Sequence, residues 1–399
     1  MIVAGVMSGT SADGIEVALV RISEPAAHKG RSRGKSGSQG PARVPRRQFR
    51  LLAHASFAYP KPVREAVLSS MNAPSASVAD LARLNFLLAE LYADAVLATQ
   101  RKFRLRAELV GCHGQTLFHQ GERQRYLGRN IAVTWQTGEG SLIAARVGVA
   151  VVSDFRPADM AVGGKGAPLV PYLDYMLYRD LRTGRIVQNI GGIANLTAIP
   201  AGATPQQVTA FDTGPGNMVM DAVMERLYHK PFDRDGQVAG TGFVLERVLS
   251  RLLRERFFQK KPPKTAGREE FGREFSQAFV KLCGRAAKPD IVATATALTA
   301  RSIAAAIRKF VLPSRGSYRE LVVSGGGARN STLLAMLANE IKLCGLSLRL
   351  SDEFGLPAAA KEAAAFALLA YETWHRRPSN VPSATGARHP VILGKISYA

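Results

Sequence analysis

Met1-Ile-Val-Ala-Gly-Val-Met-Ser-Gly-Thr-Ser-Ala-Asp-Gly-Ile-Glu-Val-Ala-Leu-Val20 opens the chain and decides its reading. Two apolar runs flank a turn built from Ser8, Gly9, Thr10, Ser11, Asp13 and Gly14. A strand, a tight polar turn and a second strand predict a β-hairpin. Small and hydroxyl-bearing residues let the turn's N–H groups approach an anion closely. Asp13 and Glu16 add carboxylates able to hold a divalent metal. Phosphate together with metal makes a nucleoside triphosphate the first ligand to consider. An ordinary hairpin with a solvated turn is the plain alternative.

Working outward, 399 residues exceed one small core and predict two domains. The formal net charge of +22 is partly local. Lys29, Arg31, Arg33, Lys35, Arg43, Arg46, Arg47 and Arg50 occur with no acidic residue among them, interleaved with glycine and proline. Such a segment cannot bury apolar surface and reads as a flexible basic insertion over residues 25–48. It lacks aromatic residues for base stacking between His28 and Arg47, so nucleic acid is not an expected partner. Cys112, Cys283 and Cys344 are far apart and odd in number, which argues against a disulfide framework. No secretory signal opens the chain, and no apolar run is expected to span a bilayer. A cytoplasmic protein without membrane contact is the expectation.

Strands and helices alternate, which predicts an α/β fold. Helical spacing covers Ser77 to Gln100, Tyr172 to Leu181, Met218 to Tyr228, Ile291 to Leu312 (with Asp290 as cap) and Lys361 to Trp374. Short strands are expected at Ala107 to Gly111 and Val147 to Ser153. Apolar runs on either side of Gly191-Gly192 repeat the opening hairpin and hint at two related halves.

Three glycine-rich turns follow strands: Gly9 to Gly14; Gly191 and Gly192 with Asn195; and Gly325, Gly326 and Gly327 with Asn330. Neither a P-loop nor a dinucleotide fingerprint occurs at a strand-to-helix junction. Two hairpins and a glycine triplet suit an actin/hexokinase-type cleft, in which the hairpins hold phosphates and the triplet admits the adenosine. Read blandly, each is only a tight turn. Asp212 ends a strand before Thr213-Gly214-Pro215-Gly216-Asn217, where a carboxylate can take a proton from water or a sugar hydroxyl. An Asx-turn is its structural alternative. Asp154, Arg156 and Asp159 supply directional polar groups suited to a sugar, or a structural ion-pair cluster. His113 and His119 flank Gln115-Thr116 without zinc spacing. Asp233 and Asp235 read as a turn.

In order along nearly the whole chain, these strings resemble the 1,6-anhydro-N-acetylmuramic acid kinase family: Val6-Met-Ser-Gly-Thr-Ser-Ala-Asp-Gly14, His113-Gly-Gln-Thr116, Asp154-Phe-Arg156 with Asp159, Gly166-Ala-Pro-Leu-Val-Pro171, Asn189-Ile-Gly-Gly192 with Asn195, Phe211-Asp-Thr-Gly-Pro-Gly-Asn217, Phe232-Asp-Arg-Asp-Gly236, Ser324-Gly-Gly-Gly-Ala-Arg-Asn330 and Lys361-Glu-Ala363. The resemblance implies a two-domain actin/hexokinase-like (ribonuclease H-like) ATPase fold with a central nucleotide cleft. One lobe would take residues 1–152 and 363–399, the other 153–362. ATP and Mg²⁺ are the implied cofactors, and a homodimer the implied assembly.

The implied reaction opens the anhydro ring with water and phosphorylates O6, within peptidoglycan recycling. Asp212 falls on the family's catalytic base. The sugar-binding positions would be His113, Gln115, Thr116, Asp154, Arg156, Asp159, Gly214 and Glu362, and the metal carboxylates Asp13 and Glu16. The chain departs from the family pattern at Glu16, where aspartate is usual, and at Lys165, where glutamine is usual. Two readings stand beside this one: a kinase of the same fold acting on another amino sugar, and a nucleotide-dependent scaffold protein.

Overall fold

Buried Val3, Val6, Val17 and Leu19 lie in near-continuous apolar runs, as expected of strands covered on both faces. They belong to β1 (Ile2–Ser8) and β2 (Gly14–Ser23), the predicted hairpin, which β3 (Gln48–Ala58) extends into an antiparallel meander. The computed structural model describes residues 1–9, 11–24, 48–314 and 316–399. Thr10 and the basic residues Lys29 to Arg47 lie outside the described residues, while Arg50 is part of β3.

Two compact units are present: Met1–Met160 with Ala360–Ser379 and Val391–Ala399, and Ala161–Ala359 with Asn380–Pro390. Their limits differ from the lobes expected at 1–152 plus 363–399 and at 153–362. Phe155 packs on Phe366 with ring centroids 5.3 Å apart, which keeps all but the last residue of the Phe155–Ala161 helix in the first unit. The Lys165 amide donates to the Thr385 carbonyl at 2.8 Å, tying residues 380–390 into the second.

In the first unit β4 (Leu109–Tyr126) runs parallel to β1 and carries β5 (Arg129–Thr137) as an antiparallel ribbon. Next, β6 (Val151–Ser153) pairs parallel with β4, and the short strand Lys395–Ser397 closes that edge. The strand expected to stop at Gly111 thus continues to Tyr126. Pairing with β5, from Gln115 opposite Thr137 to Tyr126 opposite Arg129, sustains a polar stretch that has no core-facing alternation of its own. The strand expected from Val147 is shorter, because residues to Val147 finish a helix that Gly148 ends in the left-handed conformation. The helix Val78–Phe103 starts at Ser77, whose hydroxyl accepts from the Asp80 amide. The helix Lys361–Trp374 packs so tightly on the sheet that a side-chain carbon at Gly5 or Gly111 would strike the carbonyls of Ala363 or Phe366.

The second unit repeats this plan. The strands β7 (Gly184–Ile190), β8 (Ala194–Ile199) and β9 (Thr209–Gly214) form an antiparallel meander. To it are added β10 (Tyr318–Ser324), parallel to β7, and β11 (Ser347–Leu350), parallel to β10. The order β11-β10-β7-β8-β9 mirrors β6-β4-β1-β2-β3, so the hinted relation between halves is present in the topology. This is the expected α/β class, with one sheet in each of two units.

The core helix of the second unit is Lys288–Ala306, extended by a π-helical turn at Ile307–Val311. It begins before Asp290, with Pro289 in the first turn, and Asp290 is not its cap. The Asp290 carboxylate instead accepts from the Phe243 amide at 2.7 Å. Contrary to expectation, Lys288–Val311 is long and apolar enough to cross a membrane; 83% of its apolar window is buried within the protein. Helix Met218–Tyr228 follows the expected span, and the helix expected to reach Leu181 covers Pro171–Tyr178.

Candidate functional site

In the first unit the opening turn is braced from beneath. The Ser8 hydroxyl is buried and lies 2.7 Å from Gln115 Oε1 and 3.0 Å from the Gly14 carbonyl, and it accepts from Tyr59 at 2.8 Å. Gln115 Nε2 donates to the Gly9 carbonyl at 3.2 Å. Ser8 and Gln115, expected to touch nucleotide and sugar, therefore hold the turn's shape. Gly14 is required by packing, since a side-chain carbon there would meet the Phe57 carbonyl on β3. A side-chain carbon at Gly9 would meet only Ser11 Oγ, at 3.9 Å among the described residues, and Ser11 and Asp13 are exposed. Among the described residues of the turn, those three can meet a ligand.

The two expected metal carboxylates are engaged separately. Glu16 Oε2 lies 2.5 Å from His54 Nε2 and accepts from Ser56 at 2.7 Å, both on β3. Asp13 meets Arg64 at 3.3 Å and stays open to solvent. No group of three or more metal-binding side chains occurs among the described residues.

His113, on β4, is buried against Phe366 with ring centroids 4.6 Å apart. Its Nδ1 lies 2.8 Å from the Gly114 carbonyl, which fixes the proton there. Nε2 then accepts from Arg156, whose Nε and Nη2 stand at 3.0 and 2.8 Å. Burial and the Arg156 charge both hold His113 neutral, well below its usual pKa. The same two causes lower His119 to about 4, and His119 Nδ1 lies 2.9 Å from the Thr134 hydroxyl. Burial also lowers Arg156, to about 10, while Glu362 pulls it up. Desolvation raises the Glu362 carboxyl against the pull of Arg156 and Lys361, although its side chain still reaches solvent. The structure thus brings together His113, Arg156 and Glu362, three of the candidate sugar-binding positions. Thr116 accepts from Gln136 at 3.2 Å, Asp159 is fully buried, and Asp154 pairs with Lys395 at 3.1 Å.

In the second unit Asp212 lies within β9, two residues before its end, directly opposite Asn195 on β8. Asn195 in turn faces Asn189 on β7, and Asn189 faces Ser324 on β10. Residues opposed across a sheet share a face, so Ser324, Asn189, Asn195 and Asp212 form one polar row. Asp212 Oδ2 accepts from the Ala266 amide at 2.7 Å, and the Asp212 amide donates to the Lys264 carbonyl at 3.1 Å. Desolvation raises the Asp212 carboxyl to about 6, with the Ala266 bond and Lys264 opposing and Glu270 assisting. A half-buried carboxylate near that value can hold or release a proton at neutral pH.

The glycine turns divide by role. The carbonyls of Gly191 and Gly192 accept from the amides of Asn217 and Met218, so this turn caps the Met218–Tyr228 helix. Gly325 has φ +88°, and a side-chain carbon there would sit 2.6 Å from the Ile190 carbonyl. At Gly327 it would strike Ile190, whereas at Gly326 the nearest atom is Asn217 Nδ2 at 3.4 Å. Of the triplet, Gly326 alone is glycine without a packing demand. Asn330 caps the next helix, its Oδ1 accepting from Leu333 at 2.9 Å. Gly214 is buried against Ser302 and Phe258 and offers no open surface.

Sequence reasoning missed a cavity of about 660 Å³ bordered by Gly192, Met218, Asp221, Ala222 and Ser276. Desolvation raises Asp221 to about 6. Ser276 Oγ is buried with no hydrogen-bond partner among the described residues. The signal for this cavity is distributed over two helices, and no short motif carries it.

The whole chain, residues 1–399, matches the family model described as anhydro-N-acetylmuramic acid kinase. An anhydro-N-acetylmuramic acid kinase of Bacillus cereus is 41% identical over 401 residues, covering 100% of this chain and 99% of that protein. The one from Caldanaerobacter subterraneus is 41% identical over 403 residues, covering 99% and 96%. Among solved structures, the activator of the 2-hydroxyisocaproyl-CoA dehydratase from Clostridium difficile with bound ADPNP is 14% identical and covers 93% of this chain and 95% of that one, at a TM-score of 0.41. On the full-length match and these identities, the chain belongs to the anhydro-N-acetylmuramic acid kinase family.

Proposed function

We propose that this kinase uses ATP to phosphorylate 1,6-anhydro-N-acetylmuramic acid while water opens the anhydro ring. Asp212 carries the reading. It is clamped by a backbone amide and held near the pKa at which a carboxylate exchanges protons at neutral pH. Its free oxygen would take a proton from water as the water oxygen bonds to the anomeric carbon. The bond from that carbon to O6 breaks, and O6 accepts the γ-phosphoryl group. The products are N-acetylmuramic acid 6-phosphate and ADP, which suits a step in peptidoglycan recycling.

On the first unit, Gly9, Ser11 and Asp13 would meet phosphate, and Arg156 with Glu362 would meet sugar oxygens. On the second, the cavity beside Gly192 has the size of a small-molecule site and would take the nucleoside end of ATP, with Ser276 Oγ as an unpaired polar group.

Magnesium, when bound, neutralises phosphate charge. Asp13 fits it: the carboxylate is exposed on the turn and only loosely engaged by Arg64. Glu16 fits less well, because His54 and Ser56 already engage one of its two oxygens, Oε2. A cytoplasmic homodimer completes the proposal; three free cysteines suit a reducing compartment, and light scattering reads the assembly.

Incubation with ATP, Mg²⁺ and the anhydro sugar tests the reaction. A ring-opened 6-phosphate is expected. A phosphorylated sugar with its ring intact would move Asp212 to deprotonating a hydroxyl, and no phosphosugar at all would overturn the kinase reading for this substrate.

A further inference from the structure

Lys264 has the least expected environment in the second unit. It is 1% exposed. The ammonium stands 4.6 Å from the ring centre of Phe257, 5.1 Å from Phe310 and 5.9 Å from Phe211. It donates to the Phe257 carbonyl at 3.2 Å. No carboxylate lies within ion-pair distance of it among the described residues. Three aromatic faces offset part of the desolvation cost of such a cation. A lysine that merely filled space here would be replaced by methionine at lower cost.

The backbone around Lys264 embraces Asp212. The Lys264 carbonyl accepts from the Asp212 amide, and two residues later Ala266 donates to Asp212 Oδ2. Glu270 then accepts from the Gly267 amide at 2.9 Å, pinning the far end of the same strap. One oxygen of Asp212 is thus fixed by the strap, and the other has no hydrogen-bond partner among the described residues.

We propose that Lys264 is a positioning residue for Asp212: its caged ammonium anchors the strap that orients the carboxylate, and its positive charge favours the ionised form. The proposal rests on the reading of Asp212 as the base.

Charged groups near this pair are few. Glu270 opposes ionisation of Asp212, and Lys264 favours it. Lys309, on the π-helical turn, and Lys260 bear on Lys264 itself. Opposite Asp212, β8 presents uncharged Asn195, and the Lys288–Ala306 helix presents Ser302 to the end of β9. Desolvation lowers Lys264 to about 8, with Lys309 and Lys260 assisting and Asp212 opposing, so the cage holds a cation at neutral pH and loses it in mild base.

The test combines rates with a direct titration. In wild type, the ¹³C carboxyl signal of Asp212 (assigned by its loss in Asp212→Asn) should titrate near 6 and show a second, smaller step near 8. The pH profile of kcat should fall on both sides of those values. Lys264→Met keeps the shape of the side chain and removes its charge. It should lower kcat by up to about 10²-fold with KM for ATP nearly unchanged, shift the Asp212 titration to higher pH and abolish the step near 8. Glu270→Gln should shift the same titration to lower pH.

An Asp212 signal without a step near 8 in wild type, or one unmoved by Lys264→Met, overturns the proposal; the first reading does not depend on the Lys264 variant folding. Retained turnover in Asp212→Asn would instead defeat the base assignment, leaving the Lys264 titration result to stand by itself.

Discussion

Asn195 on β8 sits directly opposite Asp212 on β9, so the neutral amide and the carboxyl share one face of the second sheet. The pair defines the chemistry available there, because anything placed at Asn195 acts on the charge of Asp212. Asn195→Asp should raise the Asp212 pKa further through like-charge repulsion. The acidic limb of kcat/KM then moves to higher pH, while Asn195→Ser leaves it near the wild-type position. A pH-rate series on the three proteins reads the difference.

Asp212→Asn should slow ring opening by roughly 10²–10⁴-fold and yet stabilise the fold. The folded carboxyl, at about 6, keeps a proton that the unfolded chain releases near 3.8. Wild-type stability therefore falls as pH rises through that window, and the amide variant escapes the loss. At pH 7 the gain is on the order of 3 kcal/mol. Thermal unfolding at about pH 4 and about pH 7 should show the two proteins close at the lower pH and apart at the higher.

The glycine triplet should split under alanine substitution. Gly327→Ala drives a methyl into Ile190 and should cost about 1–3 kcal/mol of stability. Gly326→Ala meets only Asn217 Nδ2 at 3.4 Å, so stability should hold while ATP binding weakens. Calorimetry with ATP beside a denaturation curve separates the two effects. Equal unfolding midpoints for the two variants would contradict the packing account.

Gln115→Leu removes partners from the Ser8 hydroxyl and the Gly9 carbonyl. Ser8 keeps the Gly14 carbonyl and Tyr59 as partners, so the loss falls chiefly on the Gly9 carbonyl and should cost about 1–3 kcal/mol. The expected signature is a lower unfolding temperature, with sugar KM changed less than ATP KM, because the loosened element is the opening turn.

Arg156→Met leaves His113 Nε2 buried without its donor. Loss of the cation should also raise the pKa values of His113 and His119. Imidazole NMR titration should show His119 moving upward from about 4. A His119 value unchanged in the variant would mean that burial alone sets it.

Much of the fold was written locally. The runs Ile2–Ser8 and Gly14–Ser23 on either side of a polar turn could be little other than a hairpin, and the same pattern around Gly191-Gly192 announced the second. What failed locally were the boundaries that partners set. Strand β4 runs on to Tyr126 because β5 supplies its hydrogen bonds, and the Lys288–Ala306 helix starts before Asp290 because that carboxylate serves Phe243.

The candidate site divides along the same line. Residue type and order sufficed to single out Asp212, Arg156, His113 and the glycine turns, since each motif is contiguous in the chain. Tertiary packing alone decided that Ser8 and Gln115 brace the turn, that Glu16 is taken by His54, that Gly14 and Gly327 answer to neighbouring backbone and side chain, and that a caged Lys264 lies behind Asp212. A sequence names the groups that can do chemistry. Burial and the distances between residues far apart in the chain determine which of them are already occupied, and those exist only once the sheets have formed.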